Sequence, residues 1–297
     1  MQLKYESVEE LVSVAEQLGK TISEVVLADQ AQQLNKSQTE IFNRMLENLQ
    51  TMQQAVSVGF SENLRSDSGL SGGDALKMKE YVETGNIIGG STLGKVLMKA
   101  IAVAEVNACM GRIVAAPTAG SCGIIPGVLL TIMEEQNLAQ EKVVMGLFTS
   151  AGIGMVIAKV ASISGAEGGC QAECGSASAM AAAALVELYG GTPRMIAQSC
   201  ALALKNMLGL VCDPVAGLVE VPCIKRNAIG AVNALTAANM AMAGVQSVIP
   251  VDEVILAMKE VGDLMASSVK ETSDGGLAAT PTGRKLTNEL VDLHSVC

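Results

Sequence analysis

The chain reads as all-α, a compact bundle of closely packed Ala- and Gly-rich helices with site-forming loops between them. Three observations predict this. Apolar residues make up 49% of the 297 positions, yet aromatics are 2% and Trp is absent, so the apolar mass is Ala, Val, Leu, Ile and 16 Met, with 30 Gly among them. A core of such small side chains suits helices in close approach better than a sandwich of aromatic and β-branched strands. Apolar residues also recur with helical spacing in long runs, and helix-start signals stand at the head of several of them.

Taken in order, residues 1–60 are polar and helical in period. Capping-box patterns at Ser7–Glu10, Thr21–Glu24 and Ser37–Glu40 mark two or three amphipathic helices packed on the outside of the core. Residues 61–75 (SENLRSDSGLSGGDA) form a Gly/Ser-rich loop, either a linker or a set of small donors suited to an anionic ligand. Apolar helices then follow at 93–110, 123–136, 142–163, 176–189, 193–208, 228–248 and 252–268. Pro193 occupies a first helical position, and Asp252 and Glu253 place acids in the first turn after Pro250. Gly and Pro breaks mark 271–297 as a polar tail. The chain therefore divides into 1–60, a helical core at 61–270 that carries the site, and the tail at 271–297, all within one domain.

A formal charge of −10, with no basic run longer than a pair such as Lys225–Arg226, lacks the footprint of a nucleic-acid binder. The segments 143–165 and 228–250 are hydropathic, but Lys159 in the first and Asn233, Asn239 and Gln246 in the second favour buried helices over membrane spans. The start MQLKYESVEEL has no apolar signal core, so the expectation is a cytoplasmic chain. In that reducing compartment, eight cysteines are ligands or small buried apolar groups rather than disulfides.

Three cysteines stand apart: Cys170 in GAEGGCQAECG, Cys212 in LGLVCDPVAG and Cys223 in VEVPCIKRN. Each lies beside Gly or Pro, between helical runs, where a thiol that merely packs a helix has no reason to be. Cys109 and Cys200, inside apolar helices, take that bland role. Loops that bring three thiolates together can hold a metal cluster and leave one metal open. Zinc competes, but the chain has no CxxC pair, and its sole histidine, His294, is in the tail. Among other candidates, the loop Pro117–Gly123 precedes an apolar helix. Its Thr118, Gly120 and Ser121 offer N–H groups and hydroxyls to a small carboxylate, although Ser121 also suits a helix N-cap. A second small-residue loop, 84–91, offers Asn86. Lys95 and Lys159 read as lysines with stems along apolar surface and ammonium groups in water.

The strings ETGNIIGG (83–90), AAPTAGSCGIIPG (115–127), GAEGGCQAECGSASAMAAA (165–183), LGLVCDPVAGLVEVPC (208–223) and IKRNAIGAVNA (224–234) resemble the iron–sulfur L-serine dehydratases, in particular the alpha subunit of the two-chain bacterial form. The resemblance spans nearly the whole chain. It implies an all-helical module and an ammonia-lyase, a carbon–nitrogen lyase of serine catabolism that converts L-serine to pyruvate and ammonia. It further implies a 4Fe-4S cluster on Cys170, Cys212 and Cys223, whose fourth iron is open as a Lewis acid to the substrate hydroxyl. Cys174 stays beside the cluster as a packing residue, and Cys297 is a possible tail ligand. The base is unknown in this chain and is expected from a beta subunit, in a hetero-oligomer. A non-catalytic iron–sulfur or redox-sensing module is the alternative. It shares the cysteines but has no use for the loops at 84–91 and 117–123.

Overall fold

The computed structural model describes residues 5–295, with side chains to 291, and contains thirteen α-helices and no strand among them. The first three are α1 (Val8–Leu18), α2 (Ile22–Gln33) and α3 (Gln38–Gly59). All three expected caps form: Ser7, Thr21 and Ser37 accept the N–H of Glu10, Glu24 and Glu40. Only Thr21 completes the reciprocal box. Glu10 turns back to the Glu6 N–H, and Glu40 pairs with Lys36.

Next come α4 (Asp74–Glu83), α5 (Ser91–Ala108), α6 (Ile124–Glu135), α7 (Gln140–Val160) and the single turn α8 (Gly165–Gly168). They are followed by α9 (Ser176–Leu188), α10 (Pro193–Lys205), α11 (Cys223–Met242), α12 (Val251–Leu264) and α13 (Pro281–Ser295). Helix α9 lies at the centre, packed against α6, α7, α10 and α11. Twelve of its thirteen residues are buried, six of them alanine. Small residues are what let four neighbours approach one helix, because backbone separation at a crossing is set by the side chains in contact. At the α5–α6 crossing, a Cβ on Gly127 would stand 2.9 Å from both the backbone N and the Cβ of Ala100. One described helix, α7, is long and apolar enough to cross a membrane, and two-thirds of its most apolar window is buried inside the bundle.

Four differences from the sequence expectation bear on the site. Helix α4 forms inside a stretch that periodicity left unassigned, because the buried Glu105 accepts the N–H groups of Asp74 and Ala75 and caps it from another helix. Asp252 likewise receives the N–H groups of Val8 and Glu9, serving α1 as well as sitting in the first turn of α12. Helix α11 begins at Cys223 rather than 228, so that cysteine occupies a first turn. Residues 281–295, read as tail, form α13, which packs on the loop at Val215–Gly217.

Helices α6, α9 and α11 all begin on one side of the bundle. Asn227, one turn into α11, ties the starts of α6 and α11 together there. Its Oδ1 accepts the Gly123 N–H at 2.8 Å, and its Nδ2 donates to the carbonyls of Gly120 (2.8 Å) and Cys223 (3.0 Å). Gly127→Leu should overpack the α5–α6 crossing and cost about 1–3 kcal/mol. The check is a lower urea midpoint with unchanged slope, and an unchanged midpoint would show that the crossing has room to spare.

Candidate metal centre

The three cysteines singled out by sequence come together on the side where α6, α9 and α11 begin, and each is held by different local chemistry. Cys170 follows Gly169, whose φ of +74° favours glycine, and leads into a π-helical turn, Gln171–Gly175, that runs on into α9. Gln171 locks this turn to the segment before Cys212. Its N–H donates to the Leu210 carbonyl (2.9 Å), its Oε1 accepts the Gly209 N–H (2.9 Å), and its Nε2 donates to the Met258 carbonyl (2.8 Å). Cys212 forms an isolated parallel bridge with Lys270, donating its N–H to Val269 (2.9 Å) and accepting from Glu271 (2.7 Å). Cys223 opens α11, and one turn later Arg226 reaches back across the site. Its guanidinium pairs with Asp213 at 2.8 Å and donates to the Val211 carbonyl at 2.8 Å, so it grips the residues on both sides of Cys212.

All three ligand candidates are buried. The Cys170 sulfur lies 3.6 Å from that of Cys174. S–H donation from Cys174 and Cys212, with Arg226 nearby, favours the Cys170 thiolate and holds its pKa well below the ordinary thiol value. Cys212 and Cys174 shift the other way, because each donates to that thiolate and because each is buried. Burial first, and then the Cys170 charge, pushes Cys223 up to about 12. The contacts that favour the Cys170 thiolate thus disfavour ionisation of its neighbours. A bound metal centre removes that limit, since a coordinating thiol is deprotonated outright. The starts of three helices and Arg226 add positive potential on the same side.

The donor set therefore fits an iron–sulfur cluster in chemistry: three buried thiols from three segments, with the surrounding field suited to anionic sulfur. Among the described residues no group of three or more His, Cys, Asp or Glu side chains is placed to hold a metal ion directly.

Beside the thiols lies the loop at 117–123. Thr118 donates its hydroxyl to Glu173 Oε1 at 2.6 Å, and its oxygen is 3.3 Å from that of Ser121. Ser121 is buried in a 3-10 turn, Ala119–Ser121, while Gly123 holds the N-cap position of α6 with no side-chain cap. Burial, outweighing the Thr118 hydrogen bond and aided by the charges of Cys170 and Glu271, raises the Glu173 carboxyl to about 7. Sequence reasoning passed over Glu173, Arg226, Asp213 and Asn227. The available signal was a charged or amide residue within the most apolar, glycine-rich strings of the chain.

Asn86 is not brought to this place. It is exposed in the loop before α5, and its backbone bonds are local, its N–H to the Thr84 hydroxyl and its carbonyl to the Tyr81 hydroxyl. Lys95 pairs with Glu135 near the start of α5, and Lys159 lies 5.9 Å from the centre of the Tyr5 ring. Cys297 lies outside the described residues, as does the side chain of His294. The seven described cysteines are all free, with Cys122 and Cys200 buried between helices and Cys109 partly exposed after α5.

An all-helical protein with a buried three-thiol centre beside a Thr/Ser loop is the class that fold and site define. Comparison with known proteins narrows it. The family described as "Serine dehydratase alpha chain" matches residues 17–278. A Bacillus subtilis protein named "Probable L-serine dehydratase, alpha chain" is 51% identical over 96% of this chain and 95% of its own length. The "L-serine dehydratase, alpha chain" of Peptoniphilus asaccharolyticus is 43% identical over 95% and 97%. The "L-serine dehydratase" of Streptomyces coelicolor is 40% identical over 91% of this chain but only 60% of its own length. The chain belongs to the serine dehydratase alpha chain family.

Replacing Arg226 by Met strands the nearly buried Asp213 carboxylate, and losing one partner of such a pair costs about 3–5 kcal/mol. We expect the Arg226→Met chain to unfold at clearly lower urea. Adding Asp213→Asn should recover part of the loss, whereas additive losses would show that the two side chains act independently.

Proposed function

We propose that this chain is the alpha subunit of an L-serine dehydratase, which eliminates water from L-serine to yield pyruvate and ammonia, and that Cys170, Cys212 and Cys223 hold a 4Fe-4S cluster. The observation that carries this reading is the meeting of three buried thiols from three separate segments, in a chain matched end to end by relatives bearing that name. When bound, the cluster supplies a Lewis acid, at the iron without a protein thiolate, for the departing hydroxyl. The chain's own residues do the rest of the holding. Arg226 and the Gln171 contacts fix the spacing of the cysteine segments, and Thr118, Gly120 and Ser121 border the bound serine. The substrate loses its Cα proton and β-hydroxyl as water. The resulting 2-aminoacrylate tautomerises and hydrolyses to pyruvate and ammonia.

The base that takes the Cα proton is assigned to a beta partner in a hetero-oligomer. Two features support a partner: the "alpha chain" in the names of the relatives, and the two-fifths of the Streptomyces coelicolor protein that this chain does not match. Asn86, distant from the thiols within this chain, enters the site only if a neighbouring subunit is arranged to receive it. Cys297 remains a possible tail ligand. Seven free thiols are in keeping with a cytoplasmic, reducing setting.

Anaerobically purified protein should carry about four iron and four sulfide per chain, and Cys212→Ala should lose most of both. Zinc in place of iron, or no metal in either protein, would overturn the cluster assignment. Pyruvate formation from serine should be very weak for this chain alone and rise by orders of magnitude with the beta partner. Full turnover without a partner would put the base in this chain.

A further inference from the structure

Among the described residues, Glu173 is a half-buried carboxylate at the thiol site with no cationic partner. Other buried or half-buried acids nearby are answered within the chain. Asp213 has Arg226, Glu105 has the N–H groups that start α4, and Glu220 accepts the hydroxyls of Ser66 (2.7 Å) and Ser68 (2.8 Å). Among the described residues, Glu173 has Thr118 as its hydrogen-bond partner and no Lys or Arg within ion-pair distance. Its other neighbours, Cys170 and Glu271, are of the same sign.

Two glycines border this carboxylate, one of them beside the Cys212 sulfur. A Cβ on Gly120 would come within 2.9 Å of Glu173 Oε1. A Cβ on Gly165 would come within 2.7 Å of Oε2 and 2.9 Å of the Cys212 sulfur, so the carboxylate and that sulfur both lie close against Gly165. Glycine at both positions is what lets the backbone come this close to the carboxylate and the sulfur. The side chain is only partly buried, so a small ligand can reach it. The loop at 117–123, expected to cradle a carboxylate, already spends the Thr118 hydroxyl on a protein carboxylate. What this corner lacks is a cation with N–H donors.

We propose that Glu173 accepts the α-ammonium group of the substrate, and so makes the site select α-amino acids over hydroxy acids of the same shape. This rests on the reading of the chain as a serine dehydratase subunit. L-Serine carries one ammonium group, whose three donors suit a carboxylate acceptor, and charge-assisted hydrogen bonds of this kind are the strong ones. Paired with Glu173, the ammonium is anchored next to the Cys212 sulfur, which fixes which end of the zwitterion faces the metal centre. Glu173 is in this sense a specificity-determining residue rather than the base.

The test uses the cluster-loaded enzyme with its beta partner and compares wild type with Glu173→Gln, which keeps the shape and the acceptor for Thr118 but removes the charge. The probes are L-serine and glycerate, in which a hydroxyl replaces the ammonium. We expect KM for serine to rise about ten- to a hundredfold, the scale of one charged hydrogen bond, with a smaller change in kcat. Iron and sulfide per chain should be unchanged, and glycerate inhibition should be no weaker than in wild type. A serine KM within about twofold of wild type overturns the proposal, as does a parallel weakening of serine and glycerate, which would mark a general disturbance of the pocket. Loss of iron in the variant also overturns it, by making Glu173 a support of the cluster. Wild-type enzyme that forms no pyruvate from serine overturns the functional reading itself, which the variant comparison alone cannot do.

Discussion

The ion pair between Arg226 and Asp213 holds the site in register. The residues flanking Cys212 belong to an irregular segment with no helix of its own, and Cys223 belongs to α11. A side chain that crosses from one to the other fixes their separation, alongside the bond from the Val215 N–H to the Val221 carbonyl (2.8 Å). Arg226 does this with the Asp213 carboxylate and the Val211 carbonyl at once, using the planar fork that lysine lacks. From the opposite side, the segment at 267–277 grips the same residues, through the bridge at Lys270 and the Leu277 N–H donated to Asp213 at 2.7 Å. A buried pair of this kind adds little net stability, because desolvation offsets most of the attraction. Its value here is geometric.

The charge pattern follows from the same arrangement. Buried thiols side by side resist ionising together unless positive charge is brought in, so the Cys170 thiolate is favoured and those of its neighbours are disfavoured. Arg226 and the three helix starts supply part of the compensation, and a metal centre would supply the rest. Glu173 has the opposite sign from that field and stands at its edge, with Thr118 as its anchor. A carboxylate beside anionic sulfur is unfavourable by itself, which is a reason to look for what neutralises it in the working enzyme.

Packing makes the convergence possible. Three helices can start at one place only if their bodies run close together, and α9 achieves this with six alanines among its thirteen residues. Glycines at Gly123 and Gly127 let α6 lie directly on Ala100 of α5, which sets the depth of the 117–123 loop. The core composition and the position of the site are thus one physical fact.

Much of this was legible in the residues. Low aromatic content with abundant Ala, Gly and Met called for close-packed helices, and the caps at Ser7, Thr21 and Ser37 formed where local hydrogen bonding required them. Cysteines beside Gly and Pro were separable from cysteines within helices because a loop thiol has no packing role to explain it. What the sequence could not decide is which distant groups meet. Helix α4 depends on Glu105 from another helix, α1 on Asp252 from 244 residues away, and the site on Glu173, Arg226 and Asn227 reaching across loops. Local order arises from interactions a few residues apart and so leaves a periodic trace in the chain. Side-chain bridges between segments leave none, and only the packed tertiary structure determines them.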